Sequence, residues 1–204
     1  MFFTPGAHLQ FGLTHNPLKA IVSPRPIGWI SSRGSDGSIN LAPYSYFNAI
    51  CEQPPMVMFS SSPGDATRKD SLRNVLETRE FAVNIVSAAL GSAMHVSSTS
   101  FPYGTNEFVK AGLDMAECET ISAPRVKASP ATLECRLWKA IDLPASDSGR
   151  TSTVIFGTIT GIHIAENVIV DGKVNVTTYE PLARLGYKDY AQISDMFEIQ
   201  RAQI

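Results

Sequence analysis

Three stretches carry side chains that could do chemistry together. The first is Ser60-Ser61-Ser62-Pro63-Gly64-Asp65-Ala66-Thr67-Arg68-Lys69-Asp70-Ser71, where three hydroxyls precede a short loop, two adjacent cations and a helix start. Hydroxyls, cations and free backbone N–H groups at a helix N-terminus together suit a phosphate. The plainer alternative is a solvated loop with Asp70 or Ser71 as an ordinary N-cap. The second is Asn40-Leu41-Ala42-Pro43-Tyr44-Ser45-Tyr46-Phe47-Asn48. Such a segment can present backbone amides and a hydroxyl to the edge of a planar ring, or its aromatics can simply fill a core. The third is Ser23-Pro24-Arg25-Pro26-Ile27-Gly28-Trp29-Ile30-Ser31. Two prolines hold Arg25 extended at a strand entry, where its guanidinium either faces an anion or ring or lies on the surface.

Other chemistries lack their signatures. No Gly-x-Gly-x-x-Gly, phosphate loop ending in Lys-Ser or Lys-Thr, or Gly-x-Ser-x-Gly elbow is present. His8, His15, His95 and His163 are scattered, with no partner at i+3 or i+4, and read as surface or satisfied core histidines. No cysteine–histidine spacing supports zinc, so no metal site is expected. Without an acid, base or nucleophile cluster, the chemistry falls to a cofactor, and no catalytic side chain is assigned.

The elements that must position these stretches are mostly strands. Ile27 to Ser32 is rich in β-formers, and Arg33 to Gly37 is turn chemistry. Ile39 to Asn48 is extended, with Pro43 marking an edge or bulge, and Met56 to Ser60 is a short buried strand. Leu72, Val75 and Leu76 fall at helical spacing, Phe81 to Val86 returns to strand, and Ala88 to Val96 is a short helix. A helical turn is expected at Glu107-Phe108. In Leu133-Glu134-Cys135-Arg136-Leu137 apolar and charged residues alternate, which predicts a half-exposed strand. Thr153 to Ile164 is a long strand, Asp171-Gly172 a hairpin turn, and Tyr190 to Phe197 a short helix. Strands, a helical interruption and more strands argue for a mainly β antiparallel barrel with short α decorations, not a parallel doubly wound sheet.

Composition sets the frame. Of 204 residues, 44% are hydrophobic and 18% charged, enough for a core without metal or disulfide staples. A net charge of −2 with no block of like sign argues against a nucleic-acid partner. The N-terminus has no basic lead and the chain has no long apolar run, so neither a secretory signal nor a membrane span is expected. Cys51, Cys118 and Cys135 read as reduced thiols of a cytoplasmic protein.

Taken in order, these stretches resemble the flavin-reductase-like, FMN-binding split-barrel family, in its flavoredoxin-like branch. The matching pieces are Pro24-Arg25-Pro26-Ile27 running into Ser31-Ser32, and Leu41 to Phe47. Pro54-Pro55, Arg68-Lys69-Asp70-Ser71 and Glu80-Phe81-Ala82-Val83-Asn84 follow. Asn106-Glu107-Phe108 with Ala111-Gly112-Leu113, and Pro181 to Gly186, complete the set. The likeness covers residues 18–190, leaving an N-terminal arm (1–17) and a C-terminal tail (191–204). It implies a six-stranded antiparallel Greek-key split barrel and a homodimer with FMN near the interface. By this resemblance Ser45, Tyr46 and Phe47 border the flavin, and Ser60, Lys69, Asp70 and Ser71 serve its phosphate. Arg25 and Pro26 lie near the cofactor. Ser71 stands where the family often has Thr, and either hydroxyl can donate. The implied activity is an oxidoreductase with NAD(P)H as a transient donor and a redox protein or small molecule as acceptor. The alternative is a non-catalytic FMN electron carrier or flavin-binding module.

Overall fold

The fold is described from a computed structural model, over residues 1–63 and 69–200. Its principal sheet has seven segments: β1 (Gly28–Arg33), β2 (Ile39–Tyr44), β3 (Phe47–Glu52), β4 (Pro55–Ser61), β5 (Glu80–Ile85), β6 (Ala131–Asp142) and β7 (Thr153–Ile164). Their order is β2-β1-β5-β6-β7-β4-β3, with every pairing antiparallel. The two edge segments, β2 and β3, are consecutive in the chain and separated only by Ser45 and Tyr46. The sheet therefore curls back on itself. Counted as one strand broken at Ser45, they make a six-stranded barrel, as expected. β5 lies beside β1 after three hairpin-linked strands, which is the Greek-key order.

The two-residue period of the strands sorts side chains between two cores. In β1, Ile30 points into the barrel with Tyr44, Phe59, Phe81 and Ile155. Its neighbour Trp29 packs outside with Leu41, Met94 and Phe108. The barrel is tightly filled: a Cβ on Gly157 would come within 2.4 Å of the Phe81 ring. The helix Asp70–Thr78 joins β4 to β5 and sends Leu72 and Val75 into the barrel cluster.

Several local expectations hold. The second helical stretch is a 3-10 turn, Ala88–Leu90, running into the helix Gly91–Val96. The turn at Asp171-Gly172 has both residues at positive φ, 50° and 73°, between Ile169–Val170 and Lys173–Val174. Glu107–Lys110 is a helical turn capped by the Asn106 side chain.

Three do not. Tyr190 to Phe197 is not a helix: Tyr190–Gln192 pairs with Leu182–Arg184, which in turn pairs with Arg25–Pro26. The Arg184 guanidinium lies 4.3 Å from the Tyr190 ring centre, so this strand pair has a cation–aromatic contact that a helix would forgo. Neither Asp70 nor Ser71 caps the helix. Lys69 holds the N-cap position without a side-chain bond, because Asp70 is already helical and Ser71 is buried, donating to Asn40 Oδ1 at 2.5 Å. Finally, β6 is not half-exposed at Glu134, which is completely buried. The segment 118–122 crosses the outer face there and supplies donors to the carboxylate. Among the described residues no helix is long and apolar enough to cross a membrane.

Candidate functional site

The break between β2 and β3 is where the candidate residues gather. Ser45 is half-buried, Tyr46 exposed and Phe47 buried. Phe47 lies directly over Gly28, whose backbone leaves no room for a side chain: a Cβ there would sit 2.7 Å from the ring. The Ser60 N–H donates to the Tyr46 carbonyl at 2.8 Å, which ties the end of β4 to this break.

Tyr44 links the break to the helix start. The Lys69 ammonium is 5.8 Å from the Tyr44 ring centre. Burial pushes the Tyr44 phenol up, so it stays a neutral donor, with the Ser71 and Ser61 hydroxyls close by. Tyr44 Oη and Ser61 Oγ are both buried and have no hydrogen-bond partner among the described residues. A buried hydroxyl without a partner carries a real desolvation cost, and a ligand or water oxygen would relieve it. Burial also raises the Asp70 carboxyl. Free hydroxyls, a nearby ammonium and a helix start with no side-chain cap are a chemically suitable end for a phosphate. Gly64 to Arg68, including the other expected cation, lie outside the described residues.

Arg25 is placed differently from an anion ligand. Its guanidinium is buried and donates to the carbonyls of Lys19 (2.5 Å), Val22 and Leu185 (2.7 Å). It fastens the helical turn Leu18–Ile21 to the C-terminal segment. Pro26 beside it is exposed and faces Ala183 across the short sheet.

A cleft of about 470 Å³ opens beside Ser45. Ile27, Pro43 and Met94 give it an apolar wall, and His95 and Ser98 line the side toward the helix Gly91–Val96. Arg184, Lys188 and Tyr190 close it from the C-terminal segment. A cleft of this size, with an apolar wall facing several convergent polar groups, can take a small molecule. By the resemblance Arg184 to Gly186 and Tyr190 lie close to the site with no assigned role; Arg184 and Tyr190 do line the cleft, and Lys188 joins them without any local signal in the chain.

Ser97 sets the position of the helix wall. Its buried hydroxyl accepts from Trp29 Nε1 at 2.8 Å and donates to the Met94 carbonyl at 2.8 Å. Ser97→Ala should leave the indole N–H unpaired, cost about 1–2 kcal/mol and loosen the Met94–His95 wall. Thermal melts and exchange of the Trp29 indole proton would check this, with an unchanged protein refuting it.

A second polar cluster lies on the outer face. Glu134 accepts from the N–H groups of Glu119 (2.8 Å) and Thr120 (2.6 Å), the Thr120 hydroxyl (2.6 Å) and His163. Burial alone would raise its pKa, but these bonds outweigh that and hold it at about 2. Cys118 joins them, so that its thiol, Glu134 and His163 offer ligand atoms within 4.8 Å of one another. Each Glu134 oxygen already accepts two protein donors, which leaves little for a cation. Burial, then the Glu134 charge, pushes the Cys118 thiol up to about 12, so it is not a nucleophile near neutrality.

Comparison with known proteins agrees with the barrel. The family model described as Flavin reductase like domain matches residues 22–182. An uncharacterized protein of Aquifex aeolicus is 41% identical over 175 residues, covering 84% of this chain and 86% of that one. The crystal structure of nitrilotriacetate monooxygenase component B from Bacillus cereus superposes with a TM-score of 0.84 at 30% identity, covering 92% of this chain and 98% of that one. The 2-nitrobenzoate 2-nitroreductase of Pseudomonas fluorescens superposes at 0.81 and 30% identity, covering 94% of each.

Proposed function

Because this chain belongs to the flavin reductase-like domain family, we propose that it is an FMN-dependent oxidoreductase, taking electrons from a nicotinamide nucleotide and passing them to a protein or small-molecule acceptor. The reading is supported by two features that meet on β2: the cleft lined by Pro43 and Ser45, and, at the residue between them, Tyr44, which lies near Lys69 at the helix start with no side-chain cap. Ring and phosphate of one mononucleotide need such a pair of neighbouring environments. The likeness at 30% identity to a nitroreductase and to a monooxygenase component supports redox chemistry.

On this reading Ser45, Tyr46 and Phe47 border the flavin ring, with Gly28 fixing Phe47. Lys69 faces the phosphate with the hydroxyl of Ser60, while Ser71, expected there, directs its hydroxyl proton to Asn40 and supports the helix start from inside. Asp70 begins the helix beside them, where burial raises its carboxyl. Arg25 and Pro26 hold the strand entry beneath the site. When bound, FMN supplies hydride acceptance and onward electron transfer. The apolar wall of Ile27, Pro43 and Met94 excludes water from one face, and the open side admits a donor transiently. We place the protein in the cytoplasm, in keeping with three cysteines that form no disulfide.

The purified protein, incubated with FMN, should show a bound-flavin spectrum at one FMN per chain. Anaerobic addition of NADH or NADPH should bleach it, and an acceptor should restore it. If dithionite bleaches it and neither nucleotide does, the reductase reading fails and an electron carrier takes its place.

A homodimer is part of the proposal. Trp138 and Ile162, on β6 and β7, are 60% and 59% exposed, apolar area that a partner would cover. Light scattering should give roughly twice the 22.1 kDa chain mass. A monomer that binds FMN fully would refute an interface site.

A further inference from the structure

Glu107 is buried in the helical turn Glu107–Lys110, and both of its oxygens meet donors on β2. Oε2 accepts from the Leu41 N–H at 2.9 Å, and Oε1 from the Asn40 side-chain amide at 3.1 Å. Burial pushes the carboxyl up, and these donors pull it back. A carboxylate can only accept, so Asn40 must turn its NH2 group toward Glu107 and its carbonyl oxygen away. That oxygen accepts from the Ser71 hydroxyl at 2.5 Å. Asn40 and Ser71 are buried as well. The bonds therefore run in one direction, from Ser71 through Asn40 to Glu107, and they tie β2 to the start of the helix Asp70–Thr78. The same segment grips that helix at a second point. Tyr103 Oη donates to Asp36 at 3.0 Å, and the Arg73 guanidinium lies 3.7 Å from the Tyr103 ring centre. Gly104, at a φ of 81°, turns the chain between the two grips, and the Asn106 side chain caps the turn that carries Glu107.

We propose that Glu107 is a positioning residue for the phosphate end of the flavin site, fixing the helix start through Asn40 and Ser71. The identity of the ligand rests on the oxidoreductase reading above. Lys69 immediately precedes the helix, so a shift of the helix start carries its ammonium and the free N–H groups of the first turn with it. What Glu107 contributes is polarity rather than shape. Glutamine fills the same space but must present an NH2 group to the Leu41 N–H or to the Asn40 amide. Either two donors then face each other, or Asn40 turns over and its bond with Ser71 reverses into a longer N–H···O contact. Both outcomes loosen the helix start. The charge also has a second possible seat. With Asn40→Asp added to Glu107→Gln, the new carboxylate accepts from the new amide and from Ser71, and the amide oxygen accepts from the Leu41 N–H. Every bond of the parent network is then restored in its original direction at Ser71.

Amide hydrogen exchange on the flavin-free protein reads the helix start directly. The Arg73 N–H donates to the Lys69 carbonyl at 3.0 Å and closes the first turn. In Glu107→Gln it should exchange about fivefold faster or more, while amides in the middle of β6 keep their parental rates. FMN binding should weaken several-fold and riboflavin binding stay nearly unchanged, since a general loosening would move both. The double variant, Asn40→Asp with Glu107→Gln, should return both readings to the parental values. Unchanged exchange at Arg73 in Glu107→Gln, equal losses for the two flavins, or a double variant no better than the single one overturns the proposal. Failure of the flavin reading is seen separately, as a parent protein that binds neither flavin, and the exchange rates still decide whether Glu107 sets the helix start.

Discussion

Replacing Glu134 with alanine should destabilise the protein by about 3–5 kcal/mol, the largest effect expected of any single site described above. The reason is the environment rather than the residue. The carboxylate is wholly buried, and removal strands the N–H groups of Glu119 and Thr120, the Thr120 hydroxyl and His163. Each lost partner leaves a donor without its acceptor. For a chain of this length the melting temperature should fall on the order of 6–20 °C. The pH dependence has a definite sign. The folded pKa is depressed to about 2 from an ordinary 4.5, so the contribution is present above 4.5 and is lost as pH falls toward 2. The parent should lose stability through that window, and Glu134→Gln, which cannot titrate, should lose less there. A Glu134→Ala protein melting within about 2 °C of the parent would show that the segment 118–122 is not held by this carboxylate.

Lys69→Ala should weaken FMN binding about tenfold to a hundredfold while leaving riboflavin binding nearly unchanged. A charge-assisted hydrogen bond to a phosphate contributes about 1.5–3 kcal/mol, which converts to that range. The ammonium is exposed and close to the Tyr44 ring, so removing it should not disturb the barrel. In the parent, FMN should bind more tightly than riboflavin for the same reason. Parallel titrations of both flavins separate the outcomes. Equal losses for the two would mean that Lys69 supports the fold, and equal affinity in the parent would remove the phosphate assignment.

Much of the barrel was written locally. The β-formers of Gly28–Arg33 and Thr153–Ile164, the Asp171-Gly172 turn and the helical spacing of Leu72 and Val75 depend on neighbours a few residues away. Periodicity and turn chemistry act at that range, so they are legible in the chain. The candidate residues around Ser45 and Lys69 were legible for a related reason. They occupy two short windows whose own composition suggests what they can bind.

What the chain alone could not disclose was decided by partners far apart in sequence. Glu134 reads as a surface charge in an alternating strand, and it is buried because donors from 119–120 and His163 arrive over it. Arg25 reads as a possible anion ligand, yet carbonyls of Lys19, Val22 and Leu185 take its guanidinium. Ser71 reads as a cap and instead turns inward to Asn40. The resemblance puts Arg184 and Tyr190 near the site, but it is the pairing of Leu182–Arg184 with Arg25–Pro26, some 160 residues away, that ties this C-terminal segment to the strand entry. A buried polar group goes wherever its hydrogen bonds can be satisfied. The sequence therefore determined which segments become strands and which windows hold binding chemistry, while tertiary contacts decided which charged side chains remain free to use it.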